Sequence, residues 1–208
     1  MISDFHFVNA RAGSGARYAP VSWRIRNALR PAYLHGLFSI LVAWMASRIT
    51  HLPYLIGEWR VIVHRADDTI EDYGVVCRKL ITDAGLVKFA DAFHDASFDL
   101  STFKYGGVGS GSTAPAAGDT ALGTEYTTQL AVDSTRATAT SSKPTTTSVL
   151  KQFTQTFDGS VSVAEFGIFS QAATGGGALL DRGTMTALSL GSGDGFTGKL
   201  TVTFARGS

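Results

Sequence analysis

Five sets of residues in this chain carry types and spacings that could do chemistry. The stretch GDGFTGKL, Gly193 to Leu200, nearly matches a phosphate-binding loop, GxxxxGK followed by Ser or Thr. Leu200 stands where magnesium needs a hydroxyl. The motif must also open a helix whose amides face the phosphates, and LTVTF reads as a strand. Asp91, His94 and Asp95 fall at i, i+3 and i+4, a spacing that could put three metal ligands on one helix face. Phe89 and Phe93 define the buried face of that helix, so the acid-histidine set reads as a solvated flank. Cys77 alternates with Val75 on a strand and reads as a small core residue. Asp67, Asp68, Glu71 and Asp72 share a hairpin loop but lack the ligand pattern of a calcium loop.

The fifth set is a run of glycines at 106, 107, 109 and 111, within KYGGVGSGSTAPAAGDTALGTEY, Lys104 to Tyr126. Glycine allows backbone conformations and close approaches closed to other residues, so such a run is either a phosphate cradle or a tight turn. Ser112 breaks the dinucleotide fingerprint, and threonine and proline follow it in place of a helix start. Strand-like sequence on both sides favours the turn. No GxSxG occurs, so the usual nucleophile elbow is absent. These readings call for no enzyme activity, no cofactor, no metal and no nucleic-acid partner.

The elements that position these residues fall into two parts, a front over 1–57 and a body over 58–208. Eight arginines (Arg11, Arg17, Arg24, Arg26, Arg30, Arg48, Arg60 and Arg65) face only Asp4 and Glu58 in residues 1–66. The chain carries +1 overall, so the remainder is acidic. A split of this kind suggests that the front touches something the body does not. Cys77 is the single cysteine, so no intrachain disulfide forms, which suits assembly inside a cell.

The body pattern is nearly all β. EWRVIVHR and YGVVCRKLI, with an acid-rich turn between them, predict a hairpin over 58–81. Thr82 or Asp83 can cap a short helix over about 83–95, with Leu86, Phe89, Ala90 and Phe93 at i, i+3, i+4 and i+7. Thr124 to Ser142 predicts one or two exposed strands. From Ser148 onward the strands predict an antiparallel meander with a hairpin turn at Asp158-Gly159. The fold class expected is mainly β, an antiparallel β-sandwich or barrel with one short helix, plus an N-terminal arm and helical extension. Inward residues expected include Val61, Val63, Leu86, Phe89, Phe93, Leu122, Phe153, Phe166, Leu200, Val202 and Phe204.

The front reads differently. Residues 1–20 predict an extended arm, and VSWRIRNALR a helix interrupted at Pro31. AYLHGLFSILVAWMAS has no formal charge between Arg30 and Arg48 and is the most apolar segment. It falls short of the roughly 20 apolar residues that span a bilayer, and it contains His35 and Gly36. It also begins too far from Met1 for a signal peptide. A helix buried against a core or a subunit is the preferred reading, and membrane contact the minor one. Leu37, Leu41, Trp44 and Met45 form one bulky face.

GVGSGSTAPAAGDTALGTEY resembles the glycine-threonine-alanine signature of structural proteins in tailed-bacteriophage virions. VSVAEFGIFSQAATGGGALLDR is similar to their second signature, a strand carrying x-E-x-G-L-F followed by a glycine loop and another strand. LITDAGLVKFADAF resembles the segment that precedes the first. The resemblance covers roughly 60–205 and implies a non-catalytic virion part, a capsid decoration or cement protein, or alternatively a tail-associated or tail-fibre protein in host attachment. It implies a homo-oligomer (a trimer among the options) located in the virion and assembled in the bacterial host cytoplasm. Other virion proteins are the expected partners. The competing enzyme class, a virion-borne glycan hydrolase, needs a carboxylate pair in a cleft, for which Glu125 and Glu165 are the candidates. Glu165 occupies the family's glutamate position, which implies a structural hydrogen bond to a neighbouring turn. The partner-binding residues expected are Arg17, Trp23, Arg24, Arg26, Arg30, Leu37, Leu41 and Trp44 in the front, with Gly107, Gly109, Gly111, Pro115 and Asp119 as a subunit-contact loop.

Overall fold

The computed structural model describes residues 17–19, 40–42, 44–45, 54–94 and 99–205. The described residues form ten strands in two sheets. One sheet has six strands: β1 (Arg17–Ala19), β2 (Tyr54–His64), β3 (Thr69–Leu80), β6 (Thr140–Thr145), β7 (Ser148–Thr156) and β10 (Gly195–Ala205), in the order β1-β3-β2-β10-β7-β6. The other holds β4 (Tyr105–Gly109), β5 (Ala137–Thr138), β8 (Val161–Phe169) and β9 (Leu179–Leu190), in the order β5-β4-β8-β9. All pairings are antiparallel except β1 on β3, which is parallel. The body is thus the mainly β, sandwich-like fold expected.

The core lies between the sheets. Period-two alternation delivers Trp59, Val61 and Val63 from β2, Phe153 from β7, Phe166 and Ile168 from β8, and Phe196, Leu200 and Val202 from β10, all buried. Trp59 sits edge-on to both Phe153 (ring centroids 6.4 Å apart) and Phe166 (4.9 Å), so one indole joins the two layers. The single α-helix among the described residues of the body, α1 (Asp83–His94), matches the expected span. Thr82 caps it. Its hydroxyl accepts from the Gly85 amide at 3.1 Å and donates toward the Leu180 carbonyl at 2.9 Å, which ties the helix start to β9.

Three expectations are corrected. The strands from Ser148 onward are not a meander. β7 pairs with β10 and β6, and β8 pairs with β4 and β9, so Asp158-Gly159 carries the chain from one sheet to the other. A local turn signal cannot reveal that both edges of β7 are already occupied. Leu86 is 42% exposed and Phe204 is 41% exposed. Helix α1 packs through Gly85 and Phe89 instead, and Phe204 stacks edge-on to Phe89 at 5.9 Å. The acid-rich segment read as a turn is mostly strand: the turn is confined to Arg65–Asp68, with Asp68 at φ +64°, and Thr69 onward belongs to β3. The side chain of Phe93 lies outside the described residues.

β2 begins at Tyr54, ahead of Glu58, and β1 adds three residues of the arm to the edge of the larger sheet. Residues 40–42 and 44–45 are helical. Among the described residues, no helix is long and apolar enough to cross a membrane.

Candidate functional site

The glycine run is organised around a carboxylate of the chain itself. Glu165 stands at the middle of β8 with no exposed surface. Its Oε1 accepts the amides of Gly111 (3.0 Å) and Thr124 (2.6 Å), and its Oε2 accepts the Gly123 amide at 2.8 Å. Arg182, on the adjacent strand β9, donates to Oε2 from Nε at 2.9 Å and lies at 2.7 Å through Nη2. The same guanidinium donates from Nη1 to Asp119 Oδ2 at 2.9 Å and from Nη2 to the Thr113 carbonyl at 3.1 Å. Burial alone would lower the Arg182 guanidinium; Asp119 and Glu165 outweigh it and hold it above its ordinary value.

This geometry explains the glycines. A Cβ on Gly109 would lie 2.3 Å from the Thr124 carbonyl oxygen, and one on Gly111 would lie 2.4 Å from Glu165 Oε1. Both positions must lack a side chain for the loop backbone to close on the carboxylate. The amides that could have cradled a phosphate are therefore filled by Glu165. Gly107 and Gly109 lie within β4 and are buried; the loop proper begins after them. Gly111 and Asp119 face the Glu165–Arg182 pair. Pro115 is half-buried, and most of the residues between Gly111 and Asp119 are exposed. Asp119 also accepts the Ala116 amide at 2.9 Å, and the Ala117 carbonyl accepts the Asp83 amide at 2.8 Å, docking the loop on the start of α1.

A second arginine repeats the arrangement on the other glycine loop. Arg136 pairs with Glu125 through Nε at 2.5 Å and Nη2 at 2.9 Å. Its Nη1 donates to the carbonyls of Gln171 (2.9 Å) and Gly176 (2.7 Å), while the Gly175 amide donates to Glu125 at 3.0 Å. The guanidinium carbon lies 3.5 Å from the centre of the Phe169 ring, a cation–π contact. Arg136 is buried, although the threonine-rich stretch around it reads as exposed strand. Another buried carboxylate, Asp181, joins the layers: it meets Lys79 Nζ at 2.7 Å and accepts from Trp59 Nε1 at 2.9 Å. Burial pushes the Asp181 carboxyl above its ordinary value, against the pull of Lys79, Trp59 and the Arg182 amide.

Glu165 forms the expected hydrogen bonds to a neighbouring turn. Both glutamates weighed as glycosidase carboxylates are committed to arginine and amide donors. Cys77 is buried, and burial pushes its thiol up to about 11, which suits an inert core residue. Asp91 pairs with Lys88 at 2.8 Å. Among the described residues, no group of three His, Cys, Asp or Glu side chains could hold a metal ion. Of the front residues expected to bind a partner, Leu41 and Trp44 are helical and exposed, and Arg17 lies in β1. Trp23, Arg24, Arg26, Arg30 and Leu37 lie outside the described residues.

Arg136 and Arg182 are the site residues that periodicity does not reveal. The signal available was the Asp-Arg pair at 181–182, charged residues interrupting an apolar strand run. Comparison with protein-family models, with curated proteins and with solved structures found no match for this chain.

Proposed function

We propose that this chain is a non-catalytic structural protein of a tailed-bacteriophage virion, an accessory capsid decoration or cement protein that docks through its N-terminal segment. The observation that carries the reading is the use made of the conspicuous carboxylates. Glu165 and Glu125 each sit in one of the segments that resemble the virion signatures, and each locks a glycine loop onto the sandwich through a buried arginine. A protein that must resist proteolysis and pack against neighbours gains from loops held in this way. The apolar residues of the front support docking: Leu41, Val42, Trp44 and Met45 are all exposed, and clustered apolar exposure marks interaction surfaces. The exposed part of the 110–119 loop is the body's contact surface for a second copy.

The test is the number of copies per purified particle, measured by quantitative mass spectrometry against the major shell protein. Hundreds of copies support decoration. A small multiple of three or six moves the chain to the tail or a fibre, which is the second reading. A chain absent from particles overturns both.

A further inference from the structure

One end of the sandwich is open. There, α1 and the 3-10 turn Leu100–Thr102 stand off from the inner face of the six-stranded sheet and leave a groove of about 260 Å³. Phe89, Leu100, Phe103, Val149, Val202 and Phe204 make it apolar. Lys151 opens into the same groove. It lies on the alternation of β7 that faces the core, between Val149 and Phe153, and pairs across the ladder with Leu200 of β10. The residue is 7% exposed, yet its Nζ donates no hydrogen bond to any described residue. A buried amine without an acceptor is costly, and native proteins provide a partner for such groups.

The charged groups acting on it do not supply that partner. Asp99 attracts the amine, but its carboxylate is engaged by the Ser101 amide at 2.7 Å and by the Ser101 hydroxyl. Lys104 repels it. Burial, ahead of both, holds the Lys151 amine below its ordinary value.

We propose that the groove is a binding site for a small amphipathic carboxylate, whose single alkyl chain lies among Phe89, Phe103, Val149 and Val202 while its carboxylate accepts from Lys151 Nζ. The volume is at the small end of ligand pockets, which run from roughly 300 to 1,000 Å³, and selects one short chain over a two-tailed lipid. Ser141, also at the groove, adds a hydroxyl donor near the polar end. The site is independent of the virion reading and stands or falls without it.

Calorimetry of the full chain with octanoate, octanol and acetate separates the contributions. Octanoate binds with a negative heat-capacity change. Octanol, with the same chain and no charge, binds about tenfold or more weakly, since a charge-assisted hydrogen bond is worth that much. Acetate does not bind. Lys151→Met keeps the shape and removes the unpaired amine, so it melts higher than the wild type and loses the preference for octanoate over octanol. In the wild-type chain, ¹³C-labelled lysine reads the same contact without a variant: the Lys151 Cε resonance shifts on adding octanoate and stays in place on adding octanol. Equal affinity for octanoate and octanol, no binding of either, an unmoved Cε resonance, or a preference that survives in Lys151→Met each overturns the proposal.

Discussion

Arg182 lies 2.7 Å from Glu165 with both side chains almost wholly out of water, and the carboxylate accepts three loop amides besides. Each buried charge is the other's counter-charge. The stability of the pair comes from the number of hydrogen bonds that replace water rather than from the bare Coulomb term. The pair also decides what the glycine run is for: the anion held by the loop is already present in the chain.

Glu165→Gln tests this arrangement. The amide keeps the shape but leaves a buried guanidinium facing a neutral group and turns an NH₂ toward backbone donors. Removing one member of a buried pair costs about 3–5 kcal/mol. The expected result is a large fall in urea midpoint, with faster hydrogen exchange at the Gly111, Gly123 and Thr124 amides than elsewhere in the sheet. An unchanged midpoint would show that the pair does not hold the loop.

Much of this body was legible in the sequence because strands write their burial in alternation. Val61 and Val63, or Leu200 and Val202, need only period two to be placed inside. The helix was legible from its spacing and from Thr82. The partition of strands between sheets was not, because β7 and β8 carry the same alternation whether they pair with each other or with β10 and β9. The arginines were not legible either. Arg136 sits among exposed threonines, and its burial depends on Phe169 and the 175–177 loop arriving from far along the chain.

Gly106 offers a second test, of packing between the sheets. A Cβ there would lie 2.0 Å from Phe153 Cγ, inside the ring of a buried aromatic. Gly106→Ala should cost about 1–3 kcal/mol by overpacking. Phe153→Leu should cost stability alone yet recover part of the Gly106→Ala loss when combined, a coupling that a double-mutant cycle on thermal unfolding reads directly. Additive losses would mean that the layers separate at this point rather than clash.

The acid limb of stability should pass through Arg65, which meets Glu71 and Asp194 at 2.9 Å each. Burial raises both carboxyls. For Asp194 the amides of Gly191 and Ala66 and the Arg65 charge outweigh it; for Glu71, Arg65 and the Tyr73 hydroxyl do. Both end below their ordinary values. A depressed folded value gives stability that is present above the ordinary carboxylate range and lost as pH falls from that range through the lower folded values. Asp181, raised, works in the opposite direction, its contribution weakening as pH rises. Urea midpoints from pH 7 to pH 3 should therefore fall more steeply for wild type than for Arg65→Met, and parallel curves would remove Arg65 from the account.

The last prediction concerns the front, and the strand bounds decide how to cut it. A deletion of residues 1–57 would remove Tyr54 to Gly57, which pair with Val202 to Ala205 of β10, and would damage the larger sheet for reasons unrelated to docking. Deleting residues 1–53 keeps β2 whole and takes from the larger sheet only β1, three residues at its edge. The shortened chain should melt cooperatively, a few degrees lower, since a short edge strand contributes little. It should fail to join particles that lack the full-length chain, because Leu41 and Trp44 and the arginines of the arm are gone. Leu41→Ala in the full chain should weaken joining without lowering the melting temperature, as exposed positions do. If the truncated chain joins particles at normal occupancy, the anchor is elsewhere. If it unfolds, the front is part of the core, and the apolar helix is covered by its own body rather than by a partner.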